Sequence, residues 1–439
     1  MLKLFKFLIL VFLVSSLNAK NIFEFNIIKK GQENNNTLLV IGGIQGDEPG
    51  GFMSASLLTT HYEITKGSVW IVPNLNFYSI IKRSRGPYGD MNRKFAKLSK
   101  KDPEYKIVER IKNYIKDKEV KLIVNLHDGS GYYRKKYVDN MYSPYRWGQS
   151  SIIDQKTLNV SKYSNLEDIS SKVVKHVNKH LLKKEDIYHV HNTETKNGNK
   201  EMEKTLTYFA INNGKAAFGN EASKSLPTHK RVYYHLLALE KYMDIMGIEY
   251  KRKFTLSSLG VYNALNNDIY ISLYNNKIML PLSEVRNILK YVPLKDDDIV
   301  EFKASNPLLT IYKKDSAYVV QYGNRRLTRL KAQYKLHDDK SEKVNFIIDS
   351  NNKNVAFGTI LEVKDNFLVK ETKKYRVNII GFSNNNKKET NIKISKSKIL
   401  KRFSIDKKGQ IYRVEYYTKS IDKLQQDKFA GMILVKFKS

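Results

Sequence analysis

The chain has 439 residues, with 77 Lys and Arg against 44 Asp and Glu, a formal net charge of +33 and no cysteine. That length leaves room for more than one domain, because single hydrophobic cores stop growing at about 250–300 residues. The missing cysteines exclude disulfides, a thiolate nucleophile and a Cys-based zinc site, and the apolar and aromatic content excludes a disordered chain.

The lysines are spread along the sequence and form no basic stripe interleaved with aromatics. Such a distribution argues against nucleic acid as a partner and for a solvated surface attracted to an anionic cell envelope. The sequence carries no signal for an oligomeric state.

The N-terminal stretch MLKLFKFLILVFLVSSLNAK places Lys3 and Lys6 ahead of an apolar core from Phe7 to Val14, followed by small residues. That order is a secretory signal peptide, too short to span a bilayer, so residues 1–19 are expected to export the protein to the periplasm.

From residue 20 to about 250, short apolar runs alternate with helical patterns. TLLVIGGI (37–44), SVWIVPNLN (68–76), VKLIVNLH (120–127) and KAAFGNE (215–221) are bounded by Gly, Pro or Asn and read as buried strands. The stretches 50–62, 103–118, 165–183 and 228–246 show helical spacing, with starts marked by Pro103 and Thr228. Alternation of this kind predicts an α/β domain over 20–250, a mixed sheet flanked by helices.

Beyond 250 the texture changes to strands separated by turn signals such as Asn275-Asn276. Two small all-β domains are expected, one over 251–342 and a sandwich-like, Ig-like one over 343–439.

Chemistry gathers where the four strands end. The first runs into Gln45 and Glu48, the third into His127 and the fourth into Glu221, while the loop after the second carries Arg83, Arg85, Asn92 and Arg93. Ligands in open α/β sheets bind outside the carboxyl ends of strands, so these residue types would meet at one edge. Each has a plain structural alternative. Glu48 beside Pro49 suits a helix start, a lone His127 suits a hydrogen-bonded core, and DMNRKF suits a surface turn. Their convergence favours a metal site.

The blocks GGIQGDEPGG, GDMNRKF, VNLHDGSG and FGNEAS, in that order over residues 20–245, resemble the zinc metallocarboxypeptidases of the carboxypeptidase A type and their deacylase relatives. The departure is Gln45, which stands where those enzymes carry a histidine ligand. A Gln there, with the other blocks intact, resembles a branch that trims peptidoglycan peptides in helical bacteria.

This resemblance implies a periplasmic D,L-carboxypeptidase that releases meso-diaminopimelate from a muramyl tripeptide. Zinc would be held by Gln45, Glu48 and His127, with Glu221 as general base and Arg85 facing the oxyanion. Asn92 and Arg93 would grip the terminal carboxylate of the peptidoglycan tripeptide substrate. Arg83 is the substitute for Arg85 in the same loop. The alternatives are a zinc deacylase of N-acyl amino acids and a wall-binding protein whose metal site has decayed.

Two further histidine pairs stand apart. His176 and His180 lie one helical turn apart among lysines and read as a solvated face, whereas His189 and His191 share a strand face and could line the cleft.

Overall fold

The computed structural model describes residues 24–32, 35–297, 300–340, 342–385, 388–419 and 427–438. The expected signal peptide, residues 1–19, lies outside the described residues. No helix among the described residues is long and apolar enough to cross a membrane.

The N-terminal region is built as β1 (Ile28–Gly31), β2 (Thr37–Ile41), α1 (Pro49–His61), β3 (Tyr62–Lys66), β4 (Ser68–Val72), α2 (Phe77–Lys82), α3 (Tyr105–Lys116) and β5 (Val120–Gly129). It continues with β6 (Tyr132–Tyr133), β7 (Tyr142–Ser143), β8 (Ser150–Ile153), α4 (Leu166–Asn178), β9 (His189–Asn192), α5 (Leu206–Asn212), β10 (Ala216–Ser223), α6 (Thr228–Ile245), β11 (Glu249–Arg252) and α7 (Ser258–Asn266).

Seven strands form one mixed sheet in the order β1-β4-β2-β5-β10-β8-β9. The central four, β4, β2, β5 and β10, are parallel. Every residue of β2 and β4 is buried, which is why these runs are apolar without alternation. β1 closes one edge antiparallel to β4, and β8 pairs antiparallel with β10.

The chain passes from β2 outward to β4 and then back across to β5. Between β2 and β5 the winding reverses, and that crevice is where an open α/β sheet receives its ligand.

Helix α1 starts at this crevice. Pro49 fits its first turn because a proline there gives up no intrahelical hydrogen bond. Gly50 lets the helix approach β5 closely: a Cβ on it would lie 2.1 Å from Asp128 Oδ1, while its N–H donates to Asp128 Oδ2 at 2.7 Å. Asp128 cannot yield, since it also takes Arg231 Nη1 at 3.0 Å and His235 Nε2 at 3.3 Å. Gly50→Ala is therefore expected to destabilise the protein by about 1–3 kcal/mol, read as a lower urea midpoint; an unchanged midpoint would refute the tight fit.

Downstream, strands Ile278–Pro281, Tyr270–Leu273 and Phe302–Ala304 form one sheet. Ile288–Val292, Arg325–Ala332, Ala317–Tyr322 and Leu309–Lys314 form a second. Two four-stranded sheets follow, and their facing side chains, among them Phe346, Phe367, Tyr416 and Phe437, make a separate core.

The long strands Ile411–Thr418 and Lys428–Phe437 serve both cores. Val414, Ile433 and Val435 face the last core, whereas Tyr417, Met432 and Leu434 join the large core that begins at Phe25. A two-residue side-chain period lets one strand do this.

Candidate metal centre

At the crevice, the loop after β2 brings Gln45 and Glu48 against His127 of β5. Gln45 Oε1 lies 3.1 Å and Glu48 Oε2 3.0 Å from His127 Nδ1, and all three side chains are buried. Glu221 of β10 is the register neighbour of His127 across the parallel pair. The four residues read from separate strand ends therefore share one pocket, together with Arg85, Asn92 and Arg93. Its cavity measures about 260 Å³.

The surroundings fit a cation at Nδ1. Gln45 Oε1 and Glu48 Oε2 both lie about 3 Å from Nδ1, close enough for one small cation to touch all three atoms. Among the described residues no group of three or more His, Cys, Asp or Glu is arranged to hold a metal; the oxygen that lies with Glu48 at His127 Nδ1 is the amide oxygen of Gln45.

His127 Nε2 sits 2.8 Å from the Asn125 amide nitrogen, while the buried Asn125 Oδ1 has no partner. Turned end for end, that amide accepts a proton from Nε2 and satisfies its own oxygen. The imidazole proton is then held on Nε2, and the Nδ1 lone pair faces Gln45 and Glu48. Such outer partners orient metal-binding histidines generally.

Asp90 does the equivalent for Gln45. The Gln45 amide donates to Asp90 Oδ1 at 2.7 Å, which turns Oε1 toward His127 and draws electron density onto that oxygen. Burial pushes the Asp90 carboxyl up, but Gln45, Arg85 and Arg93 outweigh it and hold it below its ordinary value. A carboxylate behind the amide makes the Gln45 oxygen a stronger donor than an unsupported amide oxygen.

Glu221 is the unpartnered group. Its Oε2 is buried without a hydrogen bond, and desolvation pushes the carboxyl up to about 8, against the pull of His127. A carboxyl poised near neutrality and aimed into a cavity has the character of a general base.

Arg85 bridges the rim, with Nη1 3.3 Å from Glu48 Oε1 and Nη2 2.9 Å from Asp90 Oδ2. Its alternative, Arg83, caps α2 in the left-handed region at φ 56° and is not among the pocket-lining residues. Asn92 Oδ1 accepts Leu206 N at 3.0 Å, and Arg93 Nε approaches Glu201 at 3.7 Å.

Sequence reading passed over Asp90, Asn125 and Lys224, although Asp90 stands inside GDMNRKF. Lys224 Nζ contacts Asp47 at 2.8 Å and Glu48 at 3.4 Å. Nothing local marks it, since its partners lie about 180 residues earlier.

The other histidines lie outside the pocket lining. His176 in the last turn of α4 packs at 5.0 Å on His180, which lies just past the helix end. His191 stacks at 3.9 Å on Tyr133 and packs at 4.9 Å on Trp147, which does line the pocket. Burial pushes His191 down to about 4.

An imidazole in the unfolded chain protonates near its ordinary value of about 6.5, so this residue's contribution is complete above that pH and is lost as pH falls toward 4. The expected loss is on the order of 3 kcal/mol. Urea midpoints followed from pH 7 to 4 should fall less steeply in His191→Phe than in the parent protein; parallel curves would exclude His191 as a source.

Residues 2–266 match the family described as the catalytic domain of a carboxypeptidase controlling helical cell shape, and residues 337–438 match the C-terminal domain of a metallo-carboxypeptidase. No curated protein sequence matches the chain.

Among solved structures, the apo cell shape determinant protein Csd4 from Helicobacter pylori is 38% identical. The match covers 94% of this chain and 100% of that one, with a TM-score of 0.85. The mDAP-bound form of Csd4, described as a D,L-carboxypeptidase, matches with the same identity, coverage and TM-score. The tripeptide-bound form gives the same identity and coverage and a TM-score of 0.84. The chain therefore belongs to the family of carboxypeptidases controlling helical cell shape, and it is a metal-dependent peptide hydrolase.

Proposed function

We propose that this protein is a periplasmic zinc D,L-carboxypeptidase that removes the terminal meso-diaminopimelate of a peptidoglycan muramyl tripeptide and leaves the dipeptide. The observation that carries this reading is the meeting of Gln45 Oε1 and Glu48 Oε2 at His127 Nδ1, with the unpartnered Glu221 on the neighbouring strand. The tripeptide and mDAP complexes of the 38% identical Csd4 support the substrate class. The signal-like N-terminus supports export.

Gln45, Glu48 and His127 would hold the zinc. A bound dication supplies a Lewis acid for the scissile carbonyl, acidifies a water, and draws the Glu221 pKa down from about 8. Glu221 takes the proton from the attacking water and returns it to the leaving amine. Arg85 stays charged, because Asp90 and Glu48 outweigh the burial that would lower its pKa, and it faces the developing oxyanion. Asn92 and Arg93 receive the terminal carboxylate, with Arg93 giving up its long contact to Glu201.

Digestion of isolated muropeptides by the zinc-reconstituted protein, read by mass, tests the reading. Tripeptide stems should lose one diaminopimelate and become dipeptides. Intact tripeptide stems after exhaustive incubation would overturn it, and release only from N-acyl amino acids would point to a deacylase.

A further inference from the structure

The segment 130–147 beside the pocket, which carries the parallel pair β6 and β7, exposes an unusual run of large side chains. Tyr137 is 61% exposed, Val138 66%, Met141 45% and Tyr145 81%, although the sequence around them is not a flexible tail. The segment is tied down. Tyr132 and Tyr142 stack at 4.8 Å, Arg134 Nη2 donates to Glu185 O at 2.7 Å, and Asp139 Oδ1 accepts the N–H groups of Met141 and Tyr142 at 2.7 and 2.9 Å. Holding apolar rings rigidly in water gains nothing for the fold, and such patches mark contact surfaces.

The patch is continuous with the catalytic pocket. Ser130 and Trp147, which bracket the segment, line the cavity, and Met141 Sδ accepts Ser225 Oγ at 3.6 Å next to the pocket residue Lys224. A tripeptide seated in that pocket is at most about 10 Å long, so whatever carries it leaves the mouth beside this segment.

We propose that the segment 130–147, through Tyr137 and Tyr145, is a docking platform for the glycan strand that bears the peptide; this rests on the peptidoglycan reading above. The tyrosine rings offer flat apolar faces with polar edges, suited to the apolar faces of pyranose rings. Beside them the exposed Lys135 and Lys136 offer cations to the carboxylates of neighbouring peptide stems. A membrane surface fits less well, because seating the patch in lipid would press the pocket mouth against the headgroups.

The test compares the full-length protein with its Tyr137→Ala/Tyr145→Ala variant on free tripeptide and on disaccharide-linked tripeptide. Turnover of the free peptide should be unchanged, KM for the disaccharide form should rise about tenfold, and co-sedimentation with purified sacculi should fall. Tyr→Phe at both positions should restore binding, because the rings carry it.

An unchanged KM on the glycan form, or equal losses on both substrates, overturns the proposal. So does a variant that still sediments with sacculi but no longer binds vesicles of phosphatidylethanolamine and phosphatidylglycerol. If the parent protein releases nothing from either peptide, the peptidoglycan reading fails, whereas retained sedimentation of the variant with sacculi sinks the platform alone.

Discussion

Glu221→Gln is expected to keep the fold and the bound metal while lowering kcat by about 10²–10⁴-fold, the usual worth of a positioned general base. The substitution is nearly isosteric. Glu221 Oε2 makes no hydrogen bond, and the carboxyl, pushed up to about 8 by burial, is largely neutral at pH 7 when no cation is near. Exchanging it for a neutral amide therefore removes little native-state interaction, and the melting temperature should be unchanged. Steady-state rates on muramyl tripeptide, with metal content measured on the same samples, separate the roles. Lost turnover with full metal marks the base; lost metal would make Glu221 a ligand; retained turnover would remove it from the chemistry.

The second large effect belongs to Gln45. Gln45→Ala should weaken zinc binding by about 10²-fold or more, because it removes a donor and also leaves Asp90 without the amide it orients. Activity should fall in parallel and recover in part at high zinc. Isothermal titration of the metal-free protein with zinc measures the change directly. Affinity equal to that of the parent protein would mean that the amide oxygen is not a ligand. Stability should fall little, since Asp90 keeps Arg85 Nη2 at 2.9 Å and the Asn92 N–H at 3.0 Å.

Much of this site was legible in the sequence because parallel strands buried on both faces read as unbroken apolar runs, and their ends are then easy to find. Gln45, Glu48, His127 and Glu221 follow from that alone, and the sheet order places them side by side. The strand β8 was not read, as four residues, two of them serine, carry too little pattern.

The family resemblance favours Arg85 with Arg83 as its substitute; the structure puts Arg85 in the pocket lining and Arg83 outside it, in a left-handed conformation as the cap of α2. Asp90 was silent because its partner Gln45 lies 45 residues earlier; Asn125 sits two residues before His127 on the same strand face, a spacing that could have flagged it. In the C-terminal half, the alternating faces of Ile411–Thr418 and Lys428–Phe437 divide between two cores, and only the packing shows which face joins which.

The unusual claim is that a metal sits here on a single imidazole, with an amide and a carboxylate completing the protein's share. X-ray absorption at the zinc edge of the reconstituted protein tests it most directly. The expected spectrum has only nitrogen and oxygen neighbours at about 2.0–2.2 Å, outer-shell scattering from about one imidazole, and a second imidazole added in Gln45→His. Two or more imidazoles around zinc in the parent protein, or an unchanged imidazole count in Gln45→His, would contradict a site built from Gln45, Glu48 and His127.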